Sequence, residues 1–459
     1  MPLLIKNGTI VTDKVHQKGD VLIESGKVSM VSSKIASPPA VRKVIDAQGM
    51  YVFPGFIDPH VHMSLPTPAG RSSDDFYTGS RAALLGGTTT IIDFVTPDRG
   101  QTLLKALELR KKEAEASITD YSLHVSPVEF VENTEKEIVR CFELGVKSFK
   151  IYMAYQDSIG LDEGDVMKVL ELVGGKTSGL VTAHCELGEE IDKLRESFAI
   201  EGKSQPLYHA LSRPVNAESE AVKKLLQMAE KANCPVYIVH VSTAKSLEYI
   251  KEAQDRGQEV YAETCPHYLL FDNTKYGGLF ADSAPYVMSP PLRKKQDIQE
   301  LWRTLPGDVL QTIGTDHCPF RFEQKKAGKN DFRKIPNGCG GVEHRPAIMF
   351  TFGVKNDRIT VEKFVNLLST MPAKIFGLYP AKGTIQEGSD ADIVIWNPGK
   401  ENVISSKTHH QNSDINIYEG IKTYGAPEFV ITKGEIAVKA NKVVNKHLKG
   451  RYVARGEEG

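Results

Sequence analysis

Cysteine is scarce in this chain: six residues among 459, none in a closely spaced pair. That excludes a disulfide scaffold or a cysteine-rich metal module and predicts reduced thiols. A dominant charge is also lacking. Lys and Arg number 57 against 58 Asp and Glu, a net charge of −1, so neither nucleic acid nor an anionic membrane is expected as a partner. No apolar run approaches the roughly 18 residues of a membrane span. The opening Met1-Pro-Leu-Leu-Ile-Lys-Asn-Gly8 carries no basic stretch, apolar core and small-residue cleavage site. These absences make the cytoplasm the expected location. What remains is an ordinary globular composition, 41% hydrophobic and 25% charged, long enough for a large barrel and a second module.

Both ends read as short strands between Gly, Asn and Asp turns: Leu3-Ile5, Val21-Ile23, Val28-Val31 and Val41-Ile45, then Asp392-Trp396, Pro427-Thr432 and Glu435-Val438. The middle alternates strands with amphipathic helices. Eight strand-like runs are expected, at Tyr51-Ile57, Thr89-Phe94, Tyr121-Val125, Val146-Ile151, Leu180-Ala183, Pro235-Val239, Glu259-Glu263 and Val309-Ile313. Between them, Thr134-Glu-Lys-Glu137 has the form of a capping box before a helix that Gly145 ends. Val222, Leu225, Leu226 and Ala229 keep helical spacing, and Ser242 is placed to cap a helix that Gly257 ends. The expected fold class is α/β, a (β/α)8 TIM-type barrel over residues 53–378. A smaller β-sandwich is expected from residues 1–52 and 379–459, the second part including a C-terminal tail. A doubly wound sheet is disfavoured because no Gly-rich phosphate fingerprint follows the first strand.

Two histidines one residue apart end the first run, in Phe53-Pro-Gly-Phe-Ile-Asp58-Pro-His60-Val-His62. Alternation along a strand aims both at one point, which suits a divalent transition metal. The other strand ends repeat the theme. Lys150 lies near the end of the fourth, His184 ends the fifth, His240 the sixth and Asp316 the eighth. Singly each has a bland reading: a core histidine, a helix cap, a lysine whose stem lies along the rim. All of them at the C-terminal face of one barrel read as a binuclear metal centre. Lys150 discriminates. An ammonium facing metal cations is repelled and its pKa driven down, and the neutral amine can capture CO2 as a carbamate that bridges two ions about 3.5–4 Å apart. His60, His62 and Asp316 are assigned to one metal, His184 and His240 to the other, and carboxylated Lys150 (N6-carboxylysine) to both. Zinc is the expected metal, with manganese or cobalt as alternatives. A hydroxide between the metals would attack, and Asp316 would act as general base and then acid.

These residues lie in motifs that run nearly the length of the chain: Gly55-Phe-Ile-Asp-Pro-His-Val-His62, Phe149-Lys-Ile-Tyr-Met-Ala-Tyr155, Thr182-Ala-His-Cys-Glu186, Glu263-Thr-Cys-Pro-His267, Met288-Ser-Pro-Pro-Leu292, Gly314-Thr-Asp-His-Cys-Pro-Phe320 and Ile335-Pro-Asn-Gly338. In them the chain resembles the dihydropyrimidinase/D-hydantoinase family of metal-dependent cyclic amidohydrolases. The resemblance implies the binuclear site, a β-sandwich beside the barrel and a homotetramer (or dimer). It implies that Tyr155 donates to the developing oxyanion and that Ser289 and Asn337 bind the substrate's amide edge. It implies ring opening of 5,6-dihydropyrimidines and 5-substituted hydantoins, small cyclic imides, to N-carbamoyl amino acids. Allantoinase or another cyclic ureide hydrolase is the alternative, and a non-catalytic scaffold of the collapsin response mediator type a remote one, since all six ligand positions are intact.

Two places depart from the family pattern. Leu187 stands where Asn is frequent, and the loop Met63–Gly70 is unlike the common version. That loop and the one after Lys150 line the entrance in the family, making Leu65, Met153 and Ile159 the expected hydrophobic gate. Dihydroorotases, which are similar, carry an Arg soon after the histidine pair to meet a substrate carboxylate. Here that place is Ser64, with the nearest arginine at Arg71, so a neutral ring is expected. Cys185 and Cys265 read as small buried hydrophobes, Cys318 as a minor neighbour of Asp316, and His267 and His317 as supporting residues.

Overall fold

The chain passes from one module to the other at a single glycine. In the computed structural model, which describes residues 2–36, 41 and 43–456, the run Tyr51–Ile57 is two strands rather than one. Tyr51–Pro54 pairs with strands from both chain ends, and Phe56–Val61 opens the barrel. Gly55 between them donates its N–H to Asp392 O at 2.7 Å, and a Cβ there would stand 2.1 Å from Thr89 Oγ1. No bulkier residue passes that point.

The first sheet holds β1 (Leu3–Val11), β2 (His16–Glu24), β3 (Lys27–Ser32), β4 (Lys43–Asp46) and β5 (Tyr51–Pro54). Arg42, inside the expected strand Val41–Ile45, lies outside the described residues. The barrel follows as β6 (Phe56–Val61), a short hairpin β7 (Pro66–Thr67) and β8 (Gly70–Arg71), then β9 (Thr88–Val95), β10 (Asp120–Val125), β11 (Ser148–Tyr152), β12 (Leu180–His184), β13 (Val236–Ile238), β14 (Val260–Thr264) and β15 (Thr312–Ile313). The chain then returns to the first sheet as β16 (Ile393–Val403), β17 (Lys422–Thr432), β18 (Glu435–Lys439) and β19 (Lys442–Val443). Leu3, Ile5, Val21, Ile23, Ile393 and Ile431 share one core, so the two chain ends fold as one module, the β-sandwich.

In the barrel, eight parallel strands pair in chain order from β6 to β15. The seam closes where His62 N–H donates to His317 O at 2.9 Å, beside the bridge between Val61 and His317. Helices pack outside, joined to the strands by a core that includes Val222, Leu225, Leu226 and Ala229. Two expected caps are not formed. Asn133 precedes the helix Thr134–Glu143 without a side-chain cap, because Glu137 accepts Leu103 N–H instead and Thr134 Oγ1 accepts Val131 N–H. Thr243, not Ser242, caps Ala244–Asp255, since Ser242 is engaged by the buried Glu218.

The opposite end of the barrel is sealed by the tail. Tyr121 N–H donates to Arg451 O at 3.0 Å, and the buried Arg455 donates Nη1–H to Ser148 Oγ at 2.7 Å. Nearby, Lys382 Nζ lies 2.9, 3.2 and 2.5 Å from Asp120, Asp390 and Asp392. Three carboxylates that could have held a cation are already served by that ammonium.

Candidate active site

Strand ends set the site. His60 in β6 and His62 just beyond it face the same way, and their Nε2 atoms lie 3.1 and 3.0 Å from Asp316 Oδ1, which follows β15. His184 ends β12, and its Nδ1 is 3.0 Å from Nε2 of His240, which follows β13. His60, His240 and Asp316 offer ligand atoms that all lie within 4.8 Å of one another. Lys150 rises from β11 beneath them, 1% exposed, its Nζ 5.1 Å from the ring centroids of Phe94 and Tyr152. Tyr155, His240 and Asp316 have left-handed backbones, with φ of 65, 41 and 49°. Each such conformation costs about 1–3 kcal/mol, and strain of this kind gathers at functional sites.

The supporting carboxylates are what the sequence reading missed. Glu263, at the end of β14, accepts His60 Nδ1–H at 2.7 Å and the Tyr237 hydroxyl at 2.9 Å. Glu186 accepts His184 Nε2–H at 2.8 Å and is paired with Arg213. Because a carboxylate only accepts, these bonds fix a proton on the outer nitrogen of each ring and turn the inner nitrogen towards the site. Asp58, two residues before His60, accepts Thr315 Oγ1–H at 2.7 Å and so ties the first strand to the eighth. The one signal available was a buried acid inside an otherwise apolar strand run.

Electrostatics follow from burial. It lowers the pKa of His62, His184 and His240, so their rings are neutral at pH 7. His60 differs: burial opposes protonation, yet Glu263 and Asp316 carry it up to about 9. Burial favours the neutral acid at Asp316, but His60 and His62 hold its carboxyl well below the usual range. Burial takes Lys150 down to about 8, against the pull of Asp316 and Glu263.

Above these groups opens a cavity of about 620 Å3. His60, His62, Lys150, His184, His240 and Asp316 form its floor, and Tyr155, Ser289 and Asn337 its wall, with Asn337 Nδ2–H donating to Ser289 Oγ at 3.0 Å. Leu65 and Ile159 also line the cavity, as do Pro66 and Thr67 of the hairpin β7–β8. Met153 does not. It is buried in the main hydrophobic core with Ile151, whose parity it shares, while Lys150 and Tyr152 face the cavity, so the expectation that Met153 lines the entrance is corrected. Leu187 also packs against that core and is absent from the lining. Arg71 is turned onto Ser64 O at 2.9 Å. Arg333 lines the cavity, but both oxygens of Asp331 hold it at 2.9 Å. His317 is structural, pinned to Asp74 at 3.0 Å, and His267 lies 3.9 Å from Cys339. Cys318 lines the cavity with its thiol pKa pushed well up by burial.

The chain matches the amidohydrolase family over residues 51–437. It is 43% identical over 463 residues to a D-hydantoinase of Geobacillus stearothermophilus, covering 100% of this chain and 98% of that one. A D-hydantoinase of Ralstonia pickettii is 41% identical, with 99% of each chain covered. The dihydropyrimidinase structure from Brevibacillus agri superposes with a TM-score of 0.97 at 39% identity, again over 99% of each chain. Six polar side chains from five strand ends on one barrel face, supported by Glu186 and Glu263, thus sit in a chain that belongs to the amidohydrolase family, among its D-hydantoinases and dihydropyrimidinases.

Proposed function

We propose that this protein hydrolytically opens cyclic imides and amides, 5,6-dihydropyrimidines and 5-substituted hydantoins, to N-carbamoyl amino acids. The observation that carries this is the convergence of four imidazoles, Asp316 and a buried lysine under one cavity. The donor set fits two divalent metals, zinc foremost: Glu263 and Glu186 hold the outer nitrogens of His60 and His184 and aim the inner ones at the site, and His62 Nδ1 and His240 Nδ1 have no hydrogen-bond partner, consistent with rings directed by their Nε2 atoms. His60, His62 and Asp316 would hold one ion and His184 and His240 the other. Lys150, with its pKa near 8, has a neutral fraction at pH 7 whose nitrogen can bond to the carbon of CO2 with loss of one proton; the resulting carbamate would serve both ions. Bound there, the metals would acidify a water and polarise the scissile carbonyl.

The chain's own groups do the rest. Asp316 is ionised at neutral pH, so it can take a proton from the attacking water and return it to the ring nitrogen as the C–N bond breaks. Tyr155 gives a hydrogen bond from its hydroxyl to the carbonyl oxygen as charge builds there. Asn337 spends one N–H on Ser289 Oγ, leaving its own oxygen to accept a ring N–H and the Ser289 hydroxyl to donate to a ring carbonyl. Leu65 and Ile159 would face the ring substituent.

The test is ring opening of dihydrouracil and hydantoin, followed by loss of ultraviolet absorbance, with metal counted on the same sample. Turnover with close to two metals per chain supports the reading. Two metals with turnover of allantoin alone would move it to ureide hydrolysis, and neither metal nor turnover after loading in bicarbonate would sink it. We further assign a homotetramer, or dimer: Ile200, Leu207 and Leu211 are exposed apolar residues on two helices that pack together, and the exposed Leu279 precedes a short helix packed on the second of them. A monomer in sedimentation would remove that assignment. No helix among the described residues is long and apolar enough to cross a membrane. The six cysteines are free and buried, which suits the reducing cytoplasm we assign as its location.

A further inference from the structure

Arg213 follows the helix Pro206–Leu211 and is 2% exposed. Its guanidinium forks. Nη1–H donates to Glu186 Oε2, and Nη2–H donates to the Tyr155 hydroxyl oxygen at 3.4 Å. The same Glu186 oxygen accepts His184 Nε2–H at 2.8 Å. One buried carboxylate therefore joins a candidate metal ligand to the arginine that touches the phenol. Arg213 is itself fixed, its carbonyl accepting Arg293 Nη1–H at 2.5 Å.

A guanidinium has five donors and no acceptor. The Tyr155 oxygen can only accept from Arg213, so its own proton must be spent elsewhere. The Tyr155 ring stands against His184, centroids 5.4 Å apart, and the residue lines the cavity. The cavity is the direction left open to that proton. A hydrogen bond received from a cation also polarises the phenol and strengthens the bond it gives.

We propose that Arg213 is a positioning residue that commits the Tyr155 hydroxyl to donating into the cavity and couples it, through Glu186, to the His184 side of the site. The inference rests on the ring-opening reading, in which Tyr155 meets the developing oxyanion. Arg213→Lys is the discriminating change. A single ammonium can still neutralise Glu186 but has no fork to reach Tyr155 as well.

In the metal-loaded full-length protein, Arg213→Lys should lower kcat about 10–100-fold, the scale of lost outer-shell support, with KM and metal content little changed. Combined with Tyr155→Phe, the same change should cost less than about threefold further, because the interaction it removes is already gone. Fluorine NMR of 3-fluorotyrosine protein supplies a readout independent of turnover: the line lost in Tyr155→Phe should move in Arg213→Lys while the others stay. An unmoved line, or an equal loss of kcat with and without Tyr155→Phe, overturns the role of Arg213. Should Arg213→Lys not fold, Glu186→Gln with Arg213→Gln removes both buried charges together, and the same comparison with and without Tyr155→Phe decides. No ring opening by the unaltered protein, with the fluorine line still sensitive to Arg213, would instead overturn the reaction and leave the contact standing.

Discussion

At the scale of the residue, Lys150 is the most exacting member of the site. A buried cation among histidines destabilises the fold unless it loses its proton or gains a negative cap, and its pKa of about 8 brings the first within reach. Lys150→Ala is expected to lose bound metal and ring opening together, by at least about 100-fold in turnover. Inductively coupled plasma analysis beside the kinetic assay checks this; full turnover by a metal-replete variant would end the carbamate role. The candidate ligands were legible because their chemistry is rare at strand ends: four histidines, an aspartate and a lysine in phase with the barrel. Glu186, Glu263 and Arg213 were not. An acid or an arginine is common in any sequence, and only the fold shows that these three are buried and face His184, His60 and Tyr155.

At the scale of the element, the loop after β11 is held from outside itself. Arg99, from the loop after β9, donates to the carbonyls of Gln156, Ser158 and Gly160 at 2.8, 2.8 and 3.0 Å. These bonds brace the turn in which Tyr155 keeps its left-handed backbone. Arg99→Ala should release that turn, lowering kcat/KM about tenfold while leaving metal content intact, since Arg99 touches no ligand. Unchanged kcat/KM would mean that the turn is held by its own internal bonds. Leu65→Ala, on the facing loop, should reorder preference among 5-substituted hydantoins by about 1–3 kcal/mol per lost apolar contact, read as ratios of kcat/KM; an unaltered ranking would move the gate elsewhere. Periodicity found most barrel strands because fully buried parallel strands are continuous apolar runs. It failed at Tyr51–Ile57, where two strands of different sheets abut without a polar break, and at the two helix caps, where Glu137 and Ser242 are drawn to long-range partners.

At the scale of the whole molecule, Lys382 holds barrel, sandwich and tail together. It serves Asp120 at the foot of β10 and Asp390 and Asp392 before β16, while Arg451 of the tail also reaches Asp120 at 3.1 Å. Burial raises and Lys382 then lowers the pKa of Asp120 and Asp390, with a net depression below 3.8. Their contribution to stability is therefore complete above about pH 4 and lost as pH falls through the depressed values. Burial lowers and the three carboxylates raise the pKa of Lys382, so its contribution is complete below 10.5 and lost only as pH rises through the raised value. Lys382→Met should cost about 3–5 kcal/mol at pH 7, the penalty of stranded buried charge. That deficit should shrink towards pH 4 as the stranded carboxylates protonate, and thermal melts at both pH values check it; an equal deficit at each would show that packing, not charge, is lost. The two-ended sandwich was legible from the matching strand patterns at both termini, but the ion cluster was not, because its members lie far apart in the chain.

The passage of the chain through Gly55 has a consequence for synthesis. β5 leaves the ribosome early, apolar along Tyr51–Phe53 and able to pair with β1, but its other neighbour β16 begins only at Ile393. At about 5–20 residues per second, the barrel between them takes on the order of tens of seconds to emerge. For that interval the nascent protein presents an open strand edge, the feature through which unfinished chains associate. The amidohydrolase barrel is thus translated inside a half-built sheet, and yield during expression should depend on how well that one edge is shielded until the C-terminal strands arrive.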